Sequence, residues 1–96
     1  MDGRRADRAT AERFGRNLFM ARRRAGYTQE QLAERCSLHR TEIGLVEKGE
    51  RLPRVDTLMK FAASLDAHPA TLLRGIEWRP PPGGQPAGGF AVLPPA

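Results

Sequence analysis

The sequence predicts an all-α fold built as one small domain. Three observations support this prediction: apolar residues recur with a helical period from Thr10 to Gly75, no sustained two-residue alternation occurs in that range, and glycine or proline separates the short apolar segments. The chain has 96 residues, a length that favours a single domain. The core is therefore small and must be shared by several short helices.

Capping residues define the first two predicted helices. Thr10 is a suitable N-cap for helix 1, and Gly26 follows its last turn as a typical C-terminal glycine. Helix 2 begins at Thr28, because Gln31 three residues later completes a Thr-x-x-Gln capping box. The predicted buried positions are Phe14, Leu18, Ala21 and Ala25 in helix 1, and Leu32, Ala33 and Cys36 in helix 2.

Three further short helices are predicted. Helix 3 stops at Gly49, and helix 4 begins near Arg54, because Pro53 cannot continue a helix from before it. Helix 5 has Pro69 in its first turn and ends at Gly75. The residues predicted to face the core are Ile43 and Val46 in helix 3, Val55, Leu58, Met59, Ala62 and Leu65 in helix 4, and Leu72 and Leu73 in helix 5.

The two ends of the chain differ in composition from this helical region. We therefore divide the chain into a flexible basic N-terminal arm, a helical domain and a Pro/Gly-rich C-terminal tail, at residues 1–9, 10–75 and 76–96. Six prolines and four glycines follow Trp78, which favours a disordered tail. Residues 76–78 and 90–92 alternate in polarity, so the alternative is a β-hairpin shared between two subunits and used in dimerisation.

Composition excludes several classes of protein. The longest apolar runs have four residues, too short for a membrane span or a signal peptide, so we expect a cytoplasmic protein. Cys36 is the single cysteine and is expected to be a small core residue. His39 and His68 lie far apart without acidic neighbours at ligand spacing, so we predict no metal site. No cofactor motif or catalytic set is recognisable, which argues against an enzyme.

The net charge of +5, carried mainly by arginine, favours an anionic partner. Helices 2 and 3 are short and joined by a turn of three or four residues, the geometry of a helix-turn-helix motif. The stretch from Phe14 to Leu73 resembles the phage-repressor (Xre/Cro-type) helix-turn-helix family. The matching features are the Thr-Gln-x-x-Leu-Ala start of helix 2, the isoleucine of helix 3, the Glu-x-Gly that ends it, the proline that follows and the closing Leu-Leu.

This resemblance implies a five-helix lambda-repressor-like domain that binds double-stranded DNA with helix 3 in the major groove. It also implies roles for particular residues. The matched positions are His39, Arg40, Thr41 and Leu45 for base contacts, Gln29 and Arg54 for the DNA backbone, and Arg22 with Glu47 for an ion pair between helices 1 and 3. Arg40 is expected to dominate sequence choice, because a guanidinium can donate two hydrogen bonds to guanine.

Three residues depart from the family pattern. Ser37 stands where the turn often has glycine and requires a different backbone conformation or mild strain. Gly44 lies inside helix 3 and weakens it. Glu42 stands beside the base-facing residues, where a carboxylate is repelled by phosphate, so it either accepts a hydrogen bond from cytosine or points away from DNA.

These patterns predict a sequence-specific DNA-binding transcriptional regulator that acts as a homodimeric repressor. Three alternatives remain open: the antitoxin of a toxin-antitoxin pair with a protein partner on the C-terminal tail, a restriction-modification controller protein, and a protein-interaction module that has lost its affinity for DNA. Glu42 and Leu45 favour the last of these.

Overall fold

The computed structural model describes residues 3–84 and 87–94, with side chains from Arg8 onward. Within these ranges the chain forms five helices and a two-stranded antiparallel sheet. The elements are α1 (Gly3–Ala25), α2 (Gln29–Cys36), α3 (Arg40–Glu47), α4 (Val55–Ser64), α5 (Pro69–Leu72), β1 (Ile76–Arg79) and β2 (Gly89–Val92). The predicted five-helix domain is confirmed, and the sheet is an addition to the predicted all-α fold.

Helix α1 begins earlier than predicted. It starts at Gly3 and not at Thr10, so the prediction of a flexible arm is wrong for residues 3–9, which are helical. The physical reason is that arginine and alanine in this segment are strong helix formers, and no helix-breaking residue separates them from the rest of α1. Thr10, the predicted cap, lies buried inside the helix. The side chains of Arg4 and Arg5 lie outside the described residues.

The core collects the apolar sides of all five helices. Phe14 and Phe61 lie at its centre with ring centroids 6.4 Å apart. The fully buried large side chains are Phe14, Leu18, Leu32, Ile43, Val46, Phe61 and Leu72. Most were predicted, because a buried helix face repeats at the spacing of the helical turn.

The predicted apolar side of α4 is partly wrong. Phe61 and Ala62 are buried, whereas Val55 is 76 % and Met59 is 51 % exposed. At 100° per residue, a face centred on Leu58 includes Phe61 and Ala62 but places Met59 at its edge. Two further predicted core residues are exposed, Ala25 at the end of α1 and Leu73 after α5.

The C-terminal segment is an ordered hairpin in the described residues, so the favoured prediction of a disordered tail is wrong there. Strands β1 and β2 pair antiparallel, and Trp78 opposite Phe90 makes an edge-to-face aromatic contact with ring centroids 5.1 Å apart. The Leu93 backbone N–H donates to the Gly75 carbonyl at 2.7 Å. Packing against α1 stabilises a hairpin that would be marginal on its own, and the pairing is formed within one chain.

Asn17 fixes where the hairpin leaves the helical domain. Its amide Nδ2 donates to the carbonyls of Leu72 and Arg74, both at 2.9 Å. These carbonyls belong to the last turn after α5, where helix carbonyls lack partners within the helix. Helix α1 therefore orients the start of β1.

Helices α1 and α3 approach each other closely at Gly15. A Cβ atom at this position would collide with the Val46 carbonyl oxygen and lie 2.6 Å from the Glu47 carbonyl oxygen. Because both neighbours are backbone atoms, they cannot rotate away. Glycine is required here for close packing of the two helices.

We predict that Gly15→Ala lowers the free energy of unfolding by about 1 to 3 kcal/mol, because it overpacks the α1–α3 contact. Gly44→Ala is the matched control, since its added Cβ would have only the Gln29 Oε1 atom nearby, at 3.9 Å. The control should raise stability by up to about 1 kcal/mol through higher helix propensity. Urea denaturation of both variants checks this, and equal stability of the two would contradict the packing argument.

Candidate nucleic-acid interface

The turn between α2 and α3 sets the angle at which α3 is presented. Ser37 caps α2 in the left-handed conformation with φ 56° and ψ 42°. The next residue, Leu38, donates its backbone N–H to the Ala33 carbonyl at 2.9 Å, which closes the end of α2. Serine therefore adopts the conformation that glycine usually supplies here, at a cost of roughly 1 kcal/mol.

Two fully buried residues hold α3 against the domain. Ile43 and Val46 are 0 % exposed, whereas His39, Arg40 and Thr41 at the start of the helix are exposed. Burial of the first pair turns the N-terminal turn of α3 outward, where it is accessible to a large ligand. Among the predicted base-facing residues, Leu45 differs because it is half-buried.

His39 has a structural role that sequence reasoning missed. Its Nδ1 atom accepts a hydrogen bond from the Thr41 backbone N–H at 3.0 Å, so His39 is the N-cap of α3. Its position immediately before the helix could have indicated this capping role, although histidine is not among the preferred capping residues. His68 caps α5 in the same way through the Ala70 backbone N–H.

Arg40 is only loosely held. Its Nη1 atom lies 3.5 Å from the Glu30 Oε1 atom, and the two side chains are 61 % and 74 % exposed. Exposed ion pairs of this kind contribute little to stability. The guanidinium is therefore available for another acceptor.

The start of α2 is closed by the predicted capping box. The Thr28 hydroxyl accepts from the Gln31 backbone N–H at 3.1 Å, and the Gln31 Oε1 atom accepts from the Thr28 backbone N–H at 2.9 Å. Gln29, the predicted backbone contact, instead uses its Nε2 atom to donate to the Glu47 Oε1 atom at 3.0 Å. Its side-chain amide is thus engaged inside the protein, while the N-terminal end of α2 still carries the positive end of the helix dipole.

Arg22 and Glu47 form a buried ion pair. The Arg22 Nε atom donates to Glu47 Oε2 at 2.6 Å and Nη2 donates to Oε1 at 3.1 Å, while Nη1 donates to the Tyr27 carbonyl at 2.8 Å. The two side chains are 8 % and 5 % exposed. With the Gln29 contact, this network connects α1, the turn before α2, α2 itself and α3.

Arg54 lies at the N-cap of α4. Its side chain is 86 % exposed and its Nε atom lies 3.6 Å from the Asp56 Oδ1 atom. It makes no capping hydrogen bond with its side chain. Like Arg40, it is a largely free positive charge on the surface.

Glu42 forms an ion pair within the protein, an arrangement that neither of the two sequence-based expectations included. Its Oε1 atom accepts a hydrogen bond from the Arg51 Nη1 atom at 2.6 Å. Arg51 lies in the segment that joins α3 to α4, and no sequence motif indicated this contact. It depends on how the segment folds back along α3.

Cys36 is part of the core, as the sequence predicts. It is 2 % exposed, and its Sγ atom lies 3.3 Å from the Ser64 hydroxyl oxygen. Burial raises the pKa of the Cys36 thiol, which disfavours the reactive thiolate.

Helices α2 and α3 pack against each other across a short turn, with the start of α3 facing outward, and this arrangement defines a helix-turn-helix protein. The model of the helix-turn-helix family HTH_3 matches residues 18–72, more than half of the chain, and the chain belongs to this family. The resemblance predicted from the sequence is thereby confirmed.

Two controller proteins and one regulator are similar to this chain. Control protein C.BamHI of Bacillus amyloliquefaciens is 36 % identical over 61 residues, which cover 62 % of this chain and 75 % of the relative. The HTH-type transcriptional regulator ImmR of Bacillus subtilis is 38 % identical over 49 residues, covering 51 % of this chain and 39 % of the relative. The crystal structure of the restriction-modification controller protein C.AhdI from Aeromonas hydrophila matches with a TM-score of 0.65 and 36 % identity, covering 67 % of this chain and 97 % of that one.

Among the described residues, no helix combines sufficient length with sufficient apolar character to cross a bilayer.

We predict that Glu47→Gln lowers the free energy of unfolding by about 3 to 5 kcal/mol, because it leaves the buried Arg22 guanidinium without a countercharge. Glu30→Gln is the matched control, since Glu30 is 74 % exposed in its ion pair. The control should change stability by no more than about 0.5 kcal/mol. Chemical denaturation compares the two variants, and a Glu47→Gln protein as stable as the control would contradict a structural role for the pair.

Proposed function

We propose that this protein is a sequence-specific DNA-binding transcriptional regulator that acts as a homodimeric repressor. The observation that carries the proposal is the outward-facing first turn of α3, exposed at Arg40 and Thr41 and held in place by the buried Ile43 and Val46. Membership of the helix-turn-helix family and the net charge of +5 support it. The prediction of a cytoplasmic protein stays a prediction that accords with this function.

In the proposed complex, α3 enters the major groove. The loosely held Arg40 donates two hydrogen bonds to a guanine, and Thr41 contacts a neighbouring base edge. His39 contributes less than predicted, because its Nδ1 atom is already used as the helix cap. Leu45, being half-buried, offers only an apolar contact at the edge of this surface.

Contacts with phosphates position the helix in the groove. We assign this role to the exposed Arg54 and to the backbone at the start of α2. For Gln29 the proposal shifts from the side-chain amide to the backbone N–H groups around it, because the amide is bonded to Glu47. Helix N-termini favour phosphate binding, because their free backbone N–H groups and the positive end of the helix dipole face the anion.

A dimer doubles the contact with a two-fold symmetric site, which a single α3 cannot supply. The hairpin offers an apolar face for dimerisation, with Trp78 54 %, Phe90 45 % and Val92 36 % exposed. The alternation of the strands places these side chains on one face of the sheet. The alternative is that a different protein binds the same face, as expected for an antitoxin.

A restriction-modification controller is the second candidate function. Its support is the similarity to two controller proteins, one of which matches over 97 % of its length. A gene for a restriction endonuclease or methyltransferase beside the gene for this chain, with protection of its promoter in a footprint, would favour this candidate over a general repressor.

The proposed function is tested by measuring the affinity for duplex DNA selected from a random pool, at several salt concentrations. Affinity should fall steeply with added salt, because phosphate contacts release counterions. A flat and weak response would contradict the proposal and would favour a protein-interaction module.

We predict that Arg40→Ala weakens binding to the selected duplex by about 1 to 3 kcal/mol and relaxes preference at one base pair. Arg16→Ala, on the exposed side of α1, is the matched control and should leave affinity and preference unchanged. Repeating the selection with both variants measures the preference. An identical selected sequence for Arg40→Ala and wild type would contradict the base contact.

We predict that Trp78→Gln shifts the protein from dimer to monomer, because it removes the largest apolar group of the proposed dimer face. Val55→Gln, which changes the most exposed apolar side chain of α4, is the control. Light scattering or sedimentation gives the mass of each form. Dissociation by Val55→Gln but not by Trp78→Gln would place the dimer contact on α4 and reject the hairpin.

A further inference from the structure

The hairpin leaves one edge of its sheet without a neighbouring strand. In the part of the chain that the structure describes, β1 pairs with β2 alone. Strand β2 packs on α1 more extensively than β1 does, and three of the four β1 residues are exposed. An unpaired strand edge presents backbone N–H and C=O groups that can pair with another chain. The outer edge of β1 is therefore the accessible side of the hairpin.

The hydrogen bonds of the hairpin determine which backbone groups point outward from β1. The Leu93 N–H donates to the Gly75 carbonyl at 2.7 Å, so these two residues form a hydrogen-bonded pair. Hydrogen-bonded and non-hydrogen-bonded pairs alternate along an antiparallel ladder. Trp78 and Phe90, three positions further along, therefore form a non-hydrogen-bonded pair. The backbone N–H and C=O of Trp78 consequently point away from β2.

The side chains on either side of Trp78 carry opposite charges. Glu77 and Arg79 lie on the other face of the sheet from Trp78, because side chains alternate along a strand. The Arg79 Nε atom lies 2.8 Å from the Glu77 Oε1 atom, and the two side chains are 64 % and 43 % exposed. Both charges are therefore accessible to a strand placed beside β1.

We propose that the outer edge of β1 pairs antiparallel with β1 of a second copy of this chain, with Trp78 opposite the partner's Trp78 on the two-fold axis. This inference rests on the homodimer of the proposed function and specifies how that dimer forms. Each Trp78 N–H donates to the backbone carbonyl of the partner's Trp78. The two hairpins then form one four-stranded antiparallel sheet, in which the two indole rings lie side by side on the apolar face.

Charge selects this register over its two neighbours. Pairing centred on Trp78 places Glu77 opposite the partner's Arg79 and, by symmetry, Arg79 opposite the partner's Glu77. These are non-hydrogen-bonded pairs, in which side chains approach more closely. Pairing centred on Glu77 or on Arg79 would place like charges directly opposite each other, which is destabilising. The same two residues therefore attract in one register and repel in the other two.

The ends of β1 fit a pairing of this length. The outward-pointing residue before Trp78 is Ile76, whose N–H already donates to the Leu73 carbonyl at 3.1 Å. In the proposed register Ile76 faces the partner's Pro80, and proline has no N–H to donate. The ladder therefore ends without an unpaired donor at either residue. Pro80 to Pro82 also prevent the strand from pairing further along the chain.

The test measures self-association of the full chain by analytical ultracentrifugation. Glu77→Arg and Arg79→Glu should each raise the dimer dissociation constant by about tenfold or more, because each places like charges opposite one another at two symmetric positions. An equimolar mixture of the two variants should form a heterodimer close to wild type in stability. In that heterodimer the arginine introduced at position 77 faces the glutamate introduced at position 79, and the two native residues face each other.

Mixing separates this contact from the ion pair within one hairpin. Positions 77 and 79 carry like charges within each variant chain, and mixing does not change that. Recovery of the dimer on mixing therefore reports only a contact between chains. Glu12→Arg is the matched control, because it reverses the same charge in an exposed ion pair with Arg8 on α1. It should leave the dissociation constant unchanged, and circular dichroism checks that every variant keeps its helical content.

A second measurement uses the wild-type protein. Trp78 is the single tryptophan of the chain, so tryptophan fluorescence reports on the hairpin directly. Dilution through the dissociation constant should shift the emission to longer wavelength, because the indole ring loses its neighbour and becomes more exposed to water. A constant emission spectrum while the mass falls from dimer to monomer would overturn the pairing of β1.

The possible outcomes separate this inference from the proposed function. Wild-type dissociation constants for both single variants, or a mixture that stays monomeric, overturn the pairing of β1, whereas a dimer formed elsewhere still agrees with the proposed function. A wild-type chain that stays monomeric at every concentration, alone and with the selected duplex, removes the homodimer and this inference together. Binding of the selected duplex by such a monomer would leave the regulator function standing.

Discussion

The buried ion pair between Arg22 and Glu47 is the constraint on which the arrangement of the helices depends. Both charges are removed from water, so each needs the other and every remaining donor needs an acceptor. Each of the three Arg22 side-chain nitrogens donates one hydrogen bond, two of them to Glu47 and one to the Tyr27 carbonyl, and Gln29 adds a further donor to the carboxylate. The position of α3 relative to α1 is thereby fixed by hydrogen bonds as well as by apolar packing.

A close backbone contact reinforces this constraint at Gly15, about two helical turns before Arg22 on α1. Gly15 brings α1 against the carbonyls of Val46 and Glu47, so the helix that carries the proposed DNA-contacting residues ends on a rigid support. The other end of α3 is held by the His39 cap and by the buried Ile43. A rigid support matters for recognition, because groove contacts made by a preformed surface avoid part of the entropy cost of ordering it on binding.

Charges on the surface around α3 are arranged in two different ways. Arg40 and Arg54 have distant, exposed partners, whereas Arg51 is held close to Glu42. Loosely paired arginines can exchange a carboxylate for a phosphate or a base at little cost. Arg40 and Arg54 therefore remain available for the base and the phosphate that the proposed function assigns to them.

The sequence by itself determined the helix-turn-helix domain, the capping box at Thr28 and most of the core, because caps and helical periodicity are local signals. Only the tertiary structure decided the contacts of Gln29 and Glu42, since their partners lie eighteen and nine residues away along the chain. The hairpin likewise depended on tertiary structure: residues 76–79 and 89–92 are weak strands on their own, and their order comes from pairing with each other and packing on α1. Local chemistry therefore specified the elements, while long-range packing and charge pairing specified which side chains remain free to bind.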